Sequence, residues 1–279
     1  MDNWTTVISS KRKWYELDLK ELVRYRDLIY MFVKRNFTAQ YKQTILGPLW
    51  FIINPLLTSF ISTVVFGGIA RIESDGIPYF LFYLCGFTLW NYFATCVNQT
   101  STTFTANAAI MGKVYFPRLT MPISSVIYAA INMIIVLFMT VITAIICSYR
   151  GVELHITPCV LLIPVLIIQT AALSLGVGII ISSLTTKYRD LAVLTTFGVN
   201  LWMYATPVVY PLSKVSGKLR LAVSLNPMSA IINNFRYAML GVGELETFWW
   251  GISAILTVVT LMIGVLLFNS VEKTFMDTV

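Results

Sequence analysis

Six stretches of this chain contain no Asp, Glu, Lys or Arg: 43–70, 76–112, 119–149, 154–186, 191–213 and 247–271. Each is long enough to cross a bilayer, whose hydrocarbon core of roughly 30 Å needs about 20 helical residues. Such a chain can only fold as an integral membrane protein. The expected architecture is all-α, with six transmembrane helices over about 46–69, 79–99, 121–148, 159–184, 191–209 and 248–270. Only 12% of the residues are charged, about half the share in a soluble domain. No polar segment between spans is long enough to fold alone, so residues 1–279 read as one transmembrane domain. The first 42 residues are polar and basic, without an apolar run after Lys11-Arg12-Lys13, so the first span serves as its own insertion signal.

The lack of buried charge limits function. Proton- and sodium-coupled carriers usually keep an ionisable group inside the membrane, and these spans hold none. His155, the single histidine, sits in a loop near Glu153, too few parts for an intramembrane Ser–His protease or a His-based metal centre. Gly112-Lys113 lacks the upstream glycine and the following Ser or Thr of a phosphate-binding loop. The chain therefore reads as a transport protein with no catalytic residue, no metal site and no nucleic-acid partner. Cys85, Cys96, Cys147 and Cys159 lie in or beside spans without CxxC spacing and read as small packing residues. Cys147 and Cys159 flank one short loop and could pair if that loop is outside.

Charge sets the orientation. Nine of the 20 Lys and Arg precede the first span, and a cytoplasmic N-terminus places 14 of the 20 inside. The positive-inside rule then puts both termini in the cytoplasm. Residues 221–235 form a seventh charge-free piece, short and broken by Asn226-Pro227. A re-entrant segment is expected there, within an outer connection spanning 210–247. Before the first span, within the cytoplasmic segment 1–42, residues 18–42 read as an amphipathic helix. Asp18 and Glu21 have capping-box spacing, and Leu22, Tyr25, Ile29, Phe32, Val33 and Phe37 recur at helical spacing. Arg24, Arg26, Lys34 and Arg35 are among its basic residues, expected near lipid phosphates.

Three spans carry polar stripes. Asn54, Thr58 and Ser62 repeat at i, i+4, i+8 in the first; Thr88, Asn91, Thr95 and Asn98 share a face of the second; Thr196, Asn200 and Tyr204 repeat in the fifth. Such groups either bond neighbouring helices or line a hydrated path. Aromatics beside them, among them Tyr83, Phe87, Trp90 and Trp202, favour the path. Ring faces with neutral polar groups suit sugars better than ions. Ser174, Gly178 and Ser182 in the fourth span, and Ser253, Thr257 and Gly264 in the sixth, suit close helix packing.

Five strings then line up: YKQTILGPLWFIINP (41–55), GKVYFPRLTMP (112–122), KYRDLAVL (187–194), ATPVVYPLSKV (205–215) and NPMSAIINNFRYAML (226–240). Their order and spacing resemble the membrane subunit of type-2 ATP-binding-cassette exporters, nearest the branch that moves lipid-linked polysaccharides such as O-antigen, with teichoic acid exporters as cousins. The resemblance runs from about residue 20 to the C-terminus. It implies a homodimer of six-span permease subunits in the bacterial inner membrane, with two separate ATPase subunits that bind ATP and Mg. It implies no cofactor in this chain. It also implies an interface helix matching 18–42 and short re-entrant helices matching 212–245. A cytoplasmic coupling loop over 99–120 would meet the ATPase through Asn107, Met111, Lys113, Tyr115, Phe116, Pro117 and Arg118. Asn36 stands where relatives often have an acid after Arg35, so a salt bridge there is not carried over.

KVYFPR also has a physical reading. Pro117 stiffens the backbone, Tyr115 and Phe116 offer a knob, and Lys113 and Arg118 are placed to pair with ATPase carboxylates. The alternative is topogenic charge plus a proline that starts the third span. Arg189-Asp190 opens the fifth span. Arg236, in the outer connection, either meets a phosphate or caps the re-entrant piece through its carbonyls. The expected function is ATP-driven export of lipid-linked polysaccharide; the same architecture moving teichoic acid, capsule, a drug or a lipid is the alternative.

Overall fold

The computed structural model describes residues 19–42, 44–114, 116–154, 157–188 and 190–278. Asp18 of the expected capping box, the basic tail before it, Tyr115, His155 and Arg189 lie outside these residues. Among the described residues all regular structure is helical. The helices are α1 (Leu19–Arg24), α2 (Arg26–Tyr41), α3 (Trp50–Ser62), α4 (Tyr79–Ser101), α5 (Thr103–Met111), α6 (Thr120–Tyr149), α7 (Ile163–Thr185), α8 (Leu191–Tyr204), α9 (Gly217–Leu225), α10 (Pro227–Leu240) and α11 (Thr247–Thr278).

Five helical stretches are long and apolar enough to cross a membrane: Gly47–Ile69, Tyr79–Ser101, Thr120–Tyr149, Pro158–Thr185 and Thr247–Val271. The first is not uniform. A tight turn over Gly47–Leu49 leads into α3, and Thr63–Ile69 widens to π-helical bonding. The expected fifth span is shorter than its charge-free run. α8 stops at Tyr204, because residues 205–210 turn and carry Pro207.

α4 is the centre of the fold. In α4, 78% of the apolar window is buried, against 17–28% in the other four stretches. It packs on α6, α7, α3, α8 and α10. Leu81, Phe82, Leu84, Leu89 and Phe93 are fully buried within it. A helix apolar on every side belongs in such a place.

The most extensive helix pair is α7 with α11, and two glycines permit it. A Cβ on Gly264 would lie 2.7 Å from the Gly176 carbonyl oxygen, and one on Gly176 would lie 2.8 Å from the Leu261 nitrogen. Ser174, Ser182, Ser253 and Thr257 are buried around this contact, as close packing of small residues requires. All four cysteines are free thiols, Cys85 and Cys96 buried.

Two segments refine the sequence reading. The expected helix over 18–42 is interrupted at Tyr25 (φ −91°, ψ 20°). Its apolar face packs on protein: Val33 joins Phe51 of α3 and Tyr128 of α6, while Phe32 joins Phe104 and Phe116. Arg24, Arg26, Lys34 and Arg35 remain on the exposed side. The stretch 99–120 is largely helical, since α4 runs almost directly into α5 through a break at Thr102.

Candidate functional site

The first and second stripes meet at a cleft bounded by α2, α3, α4 and α6. Its upper chamber encloses about 700 Å³. Asn54 and Thr58 of α3, Asn91, Thr95 and Asn98 of α4 and Asn132 of α6 line it. Trp50, Phe51 and Tyr128 contribute ring surface. A second chamber of about 480 Å³ lies toward the start of α6 and shares Gln40, Gln99 and Tyr128 with the first. It adds Arg35, Asn36 and Asn107. Arg35 is the one charged residue among those lining either chamber. Its Nη2 donates to Asn107 Oδ1 at 3.0 Å, and its guanidinium carbon sits 4.9 Å from the Phe32 ring centre. The side-chain oxygens of Asn98, Gln99 and Asn132 are buried and accept no hydrogen bond among the described residues.

Other predicted path residues lie elsewhere. Tyr83, Phe87 and Trp90 are buried in the main hydrophobic core, not on a path. Tyr83 packs between Tyr79 and Phe66, and Trp90 lies against Phe93. Ser62 is buried as well. Thr88 turns from the cleft to meet the Thr140 hydroxyl at 3.1 Å. Thr196, Asn200 and Tyr204 share an exposed side of α8. Trp202 is committed to structure: its indole packs edge-on to Phe93 and its Nε1 donates to Asn226 Oδ1 at 3.1 Å.

The connection between α8 and α11, expected on the outer side, is a dense polar network. Asn226 also caps α10, accepting from the Met228 amide at 3.1 Å, and its Nδ2 donates to Thr206 Oγ1 at 2.7 Å. Pro227 follows at the first helical position, where no amide is needed. Arg236 is 4% exposed. Its Nη1 donates to the Pro207 carbonyl at 2.7 Å, Nη2 donates to the Val208 carbonyl, and Phe82 lies 3.7 Å from its guanidinium carbon. Gly86 makes room, since a Cβ there would lie 2.6 Å from Nη2. The phosphate reading of Arg236 is corrected: the side chain faces inward and binds carbonyls. Those carbonyls follow α8; they do not belong to the re-entrant piece. Gln169 links Trp250 Nε1 at 2.7 Å to Ser253 Oγ at 2.9 Å, and Ser253 Oγ donates to the Pro227 carbonyl at 2.7 Å.

The expected coupling segment divides by exposure. Lys113 and Val114 are exposed at the turn after α5. Phe116 is buried, 5.7 Å from the Phe32 ring, so it is an anchor and not a projecting knob. Arg118 is 9% exposed and Met111 2%, which turns both away from any docking partner. The Pro117 carbonyl accepts from Thr120 Oγ1 at 2.7 Å and starts α6.

A family model described as ABC-2 type transporter matches residues 27–240. The chain belongs to the ABC-2 type transporter family. With its five long apolar helices it is a multi-pass membrane protein. The ABC-2 match begins in α2 and ends with α10, so it contains the cleft, α5 and Arg236. Among the relatives are two O-antigen export system permease proteins RfbA from Klebsiella pneumoniae. They are 28% identical over 252 residues and 27% identical over 259; each alignment covers 90% of this chain and 94% of the relative. An RfbA of the same description from Myxococcus xanthus is 28% identical over 221 residues, covering 78% of this chain and 82% of that one.

Sequence reasoning missed four polar residues of this ABC-2 chain. Asn132 is a lone Asn on an apolar helix, and Gln40, Gln99 and Gln169 are isolated along the chain. No periodicity marks them, because their neighbours belong to other helices. For Gln99, Asn132 and Gln169 an amide inside a charge-free run is the one signal offered; Gln40, before Lys42, lacks even that.

Proposed function

We propose that this chain is the transmembrane subunit of an ATP-driven exporter that moves a lipid-linked, O-antigen-like polysaccharide across the bacterial cytoplasmic membrane. The observation that carries the reading is the alignment with O-antigen export permeases along nine-tenths of the chain. In this reading α8 is a sixth crossing and α9–α10 form the re-entrant outer connection. Both termini are cytoplasmic, and α1–α2 lie along the inner interface with Arg24, Arg26 and Lys34 toward lipid phosphates, while Arg35 turns to Asn107. Two copies of the chain pair, and two separate ATPase subunits bind ATP and Mg.

Each ATPase subunit docks on α5 and the exposed turn at Lys113. Closure on ATP pushes that turn, and Phe116 passes the push to α2 through Phe32. The path runs along α3, α4 and α8, with Asn54, Thr58, Asn91 and Asn98 on one wall and Asn200 and Tyr204 on another. Neutral amides and ring faces let a glycan pass without tight binding, and the cargo need not be an ion. The energy comes from the partner, in keeping with spans that carry no ionisable pair for coupling.

Deletion of the gene tests the reading. Surface polysaccharide should disappear and lipid-linked glycan should accumulate on the cytoplasmic side, both reversed by a plasmid copy. Unchanged surface polysaccharide without accumulation would sink it.

A further inference from the structure

We infer that the cleft between α2, α3, α4 and α6 is a binding subsite for neutral sugar residues of the cargo, contained within one protomer and open toward the cytoplasmic end of α4. The inference rests on the exporter reading and adds where a sugar is held and which side chains hold it.

Four observations carry it. The first is size: about 700 Å³ in the upper chamber falls in the range of small-molecule sites, about 300–1,000 Å³. The second is the chemistry of the wall. Asn54, Asn91, Asn98, Gln99 and Asn132 converge from three helices that are separate in sequence. A carboxamide offers one acceptor oxygen and two donor hydrogens. A sugar hydroxyl is at once donor and acceptor, so the two groups are complementary in both directions.

The third observation is unmet bonding. The side-chain oxygens of Asn98, Gln99 and Asn132 are shielded, yet no donor among the described residues reaches them. Buried polar atoms normally find partners. As found they are sealed from water, so these side chains must turn toward the cleft before they offer acceptors to a ligand that brings its own hydroxyl donors. The fourth is charge. Arg35, the sole charged lining residue, is already engaged by Asn107 and Phe32. A phosphate site would need free cations or converging N–H donors. The ligand is therefore the neutral glycan, not the pyrophosphate of its lipid. Trp50 beside the amides offers a ring face for the C–H side of a sugar.

Site-specific photo-crosslinking in intact cells, with the whole exporter present, tests this. A photo-reactive amino acid replaces Asn132, in the cleft, or Phe138, exposed elsewhere on α6; a third variant carries it at Asn200. After illumination the permease is purified and stained for attached sugar. A sugar adduct at position 132, without one at 138, is the expected result. An adduct at 200 with none at 132 overturns the cleft and leaves the exporter reading standing. Equal adducts at 132 and 138 overturn the cleft as well. No adduct at any position, joined to normal surface polysaccharide after gene deletion, defeats both readings. Independently, Asn132→Leu should slow export about tenfold at an unchanged protein level, with Asn132→Gln recovering part of the rate. Equal export by Asn132→Leu at an equal protein level also overturns the site.

Discussion

The two ends of this protein differ in how most of their part-buried amides are bonded. At the outer end, Asn226 bonds Trp202, Thr206 and the Met228 amide, Gln169 bonds Trp250 and Ser253, and Arg236 bonds two carbonyls. In the cleft near the C-terminal end of α4, Asn98, Gln99 and Asn132 hold side-chain oxygens that nothing among the described residues satisfies. The residue types are similar and the burial is similar. The amides of Asn226 and Gln169 close on their neighbours and fix a shape, although Asn234 Nδ2 and Arg236 Nε beside them lack a partner among the described residues; the inner oxygens are unmatched next to a cavity. In a membrane protein the state of the bonds, more than the presence of an amide, separates scaffold from binding wall.

That contrast can be broken by mutation, and the largest effect belongs to the outer end. Arg236→Leu should cost about 3 kcal/mol, because it strips charged donors from the Pro207 and Val208 carbonyls and leaves them buried. A lower melting temperature of the purified protein in detergent checks it; a melt within a degree of wild type would remove Arg236 from the scaffold. Gly264→Ala should follow at about 1–3 kcal/mol, since the new methyl meets backbone that cannot yield. The same melt reads it, together with loss of monodispersity by size exclusion. Asn226→Ala should cost about 1 kcal/mol through loss of the α10 cap, read as faster proteolysis of the outer connection.

The smallest stability effect is expected from the cleft, where the contrast is sharpest. Asn98→Leu and Gln99→Leu remove buried oxygens that have no partner among the described residues, so stability should stay level or rise by up to about 1 kcal/mol in the same melt. Export of glycan should fall all the same. A destabilised protein with normal export would reverse the division between the two ends.

The sequence showed the membrane character plainly, because charge-free runs have one physical meaning at this length. It also showed the break at Asn226-Pro227, since a proline that lacks an amide fits only the first turn. The small residues of α7 and α11 were legible for a similar reason: few roles suit Gly264 in lipid except close approach, whereas the bonds of Ser253 to Gln169 and the Pro227 carbonyl were not. The aromatics of α4 were not. Tyr83, Phe87 and Trp90 sit on a helix that is apolar all round, so no periodicity separates a lumen from a core. Phe116 misled for a related reason, because a bulky ring in a loop looks the same whether it projects or plugs. The partners of Arg236 are backbone carbonyls, which leave no mark in the order of side chains. Asn132 has its companions on other helices, and only folding brings them together.

One dimension of α8 has a further consequence. Its 14 residues rise about 21 Å, some 9 Å short of a typical hydrocarbon core. Counted as a crossing, it is hydrophobically mismatched to ordinary lipid. The bilayer beside it must dimple, or a second protomer must shield it. Where the bilayer dimples, the fatty barrier is thinnest along the helix that exposes Asn200, and activity reconstituted in short-chain lipids should exceed that in long-chain ones; shielding by a second protomer would remove that dependence.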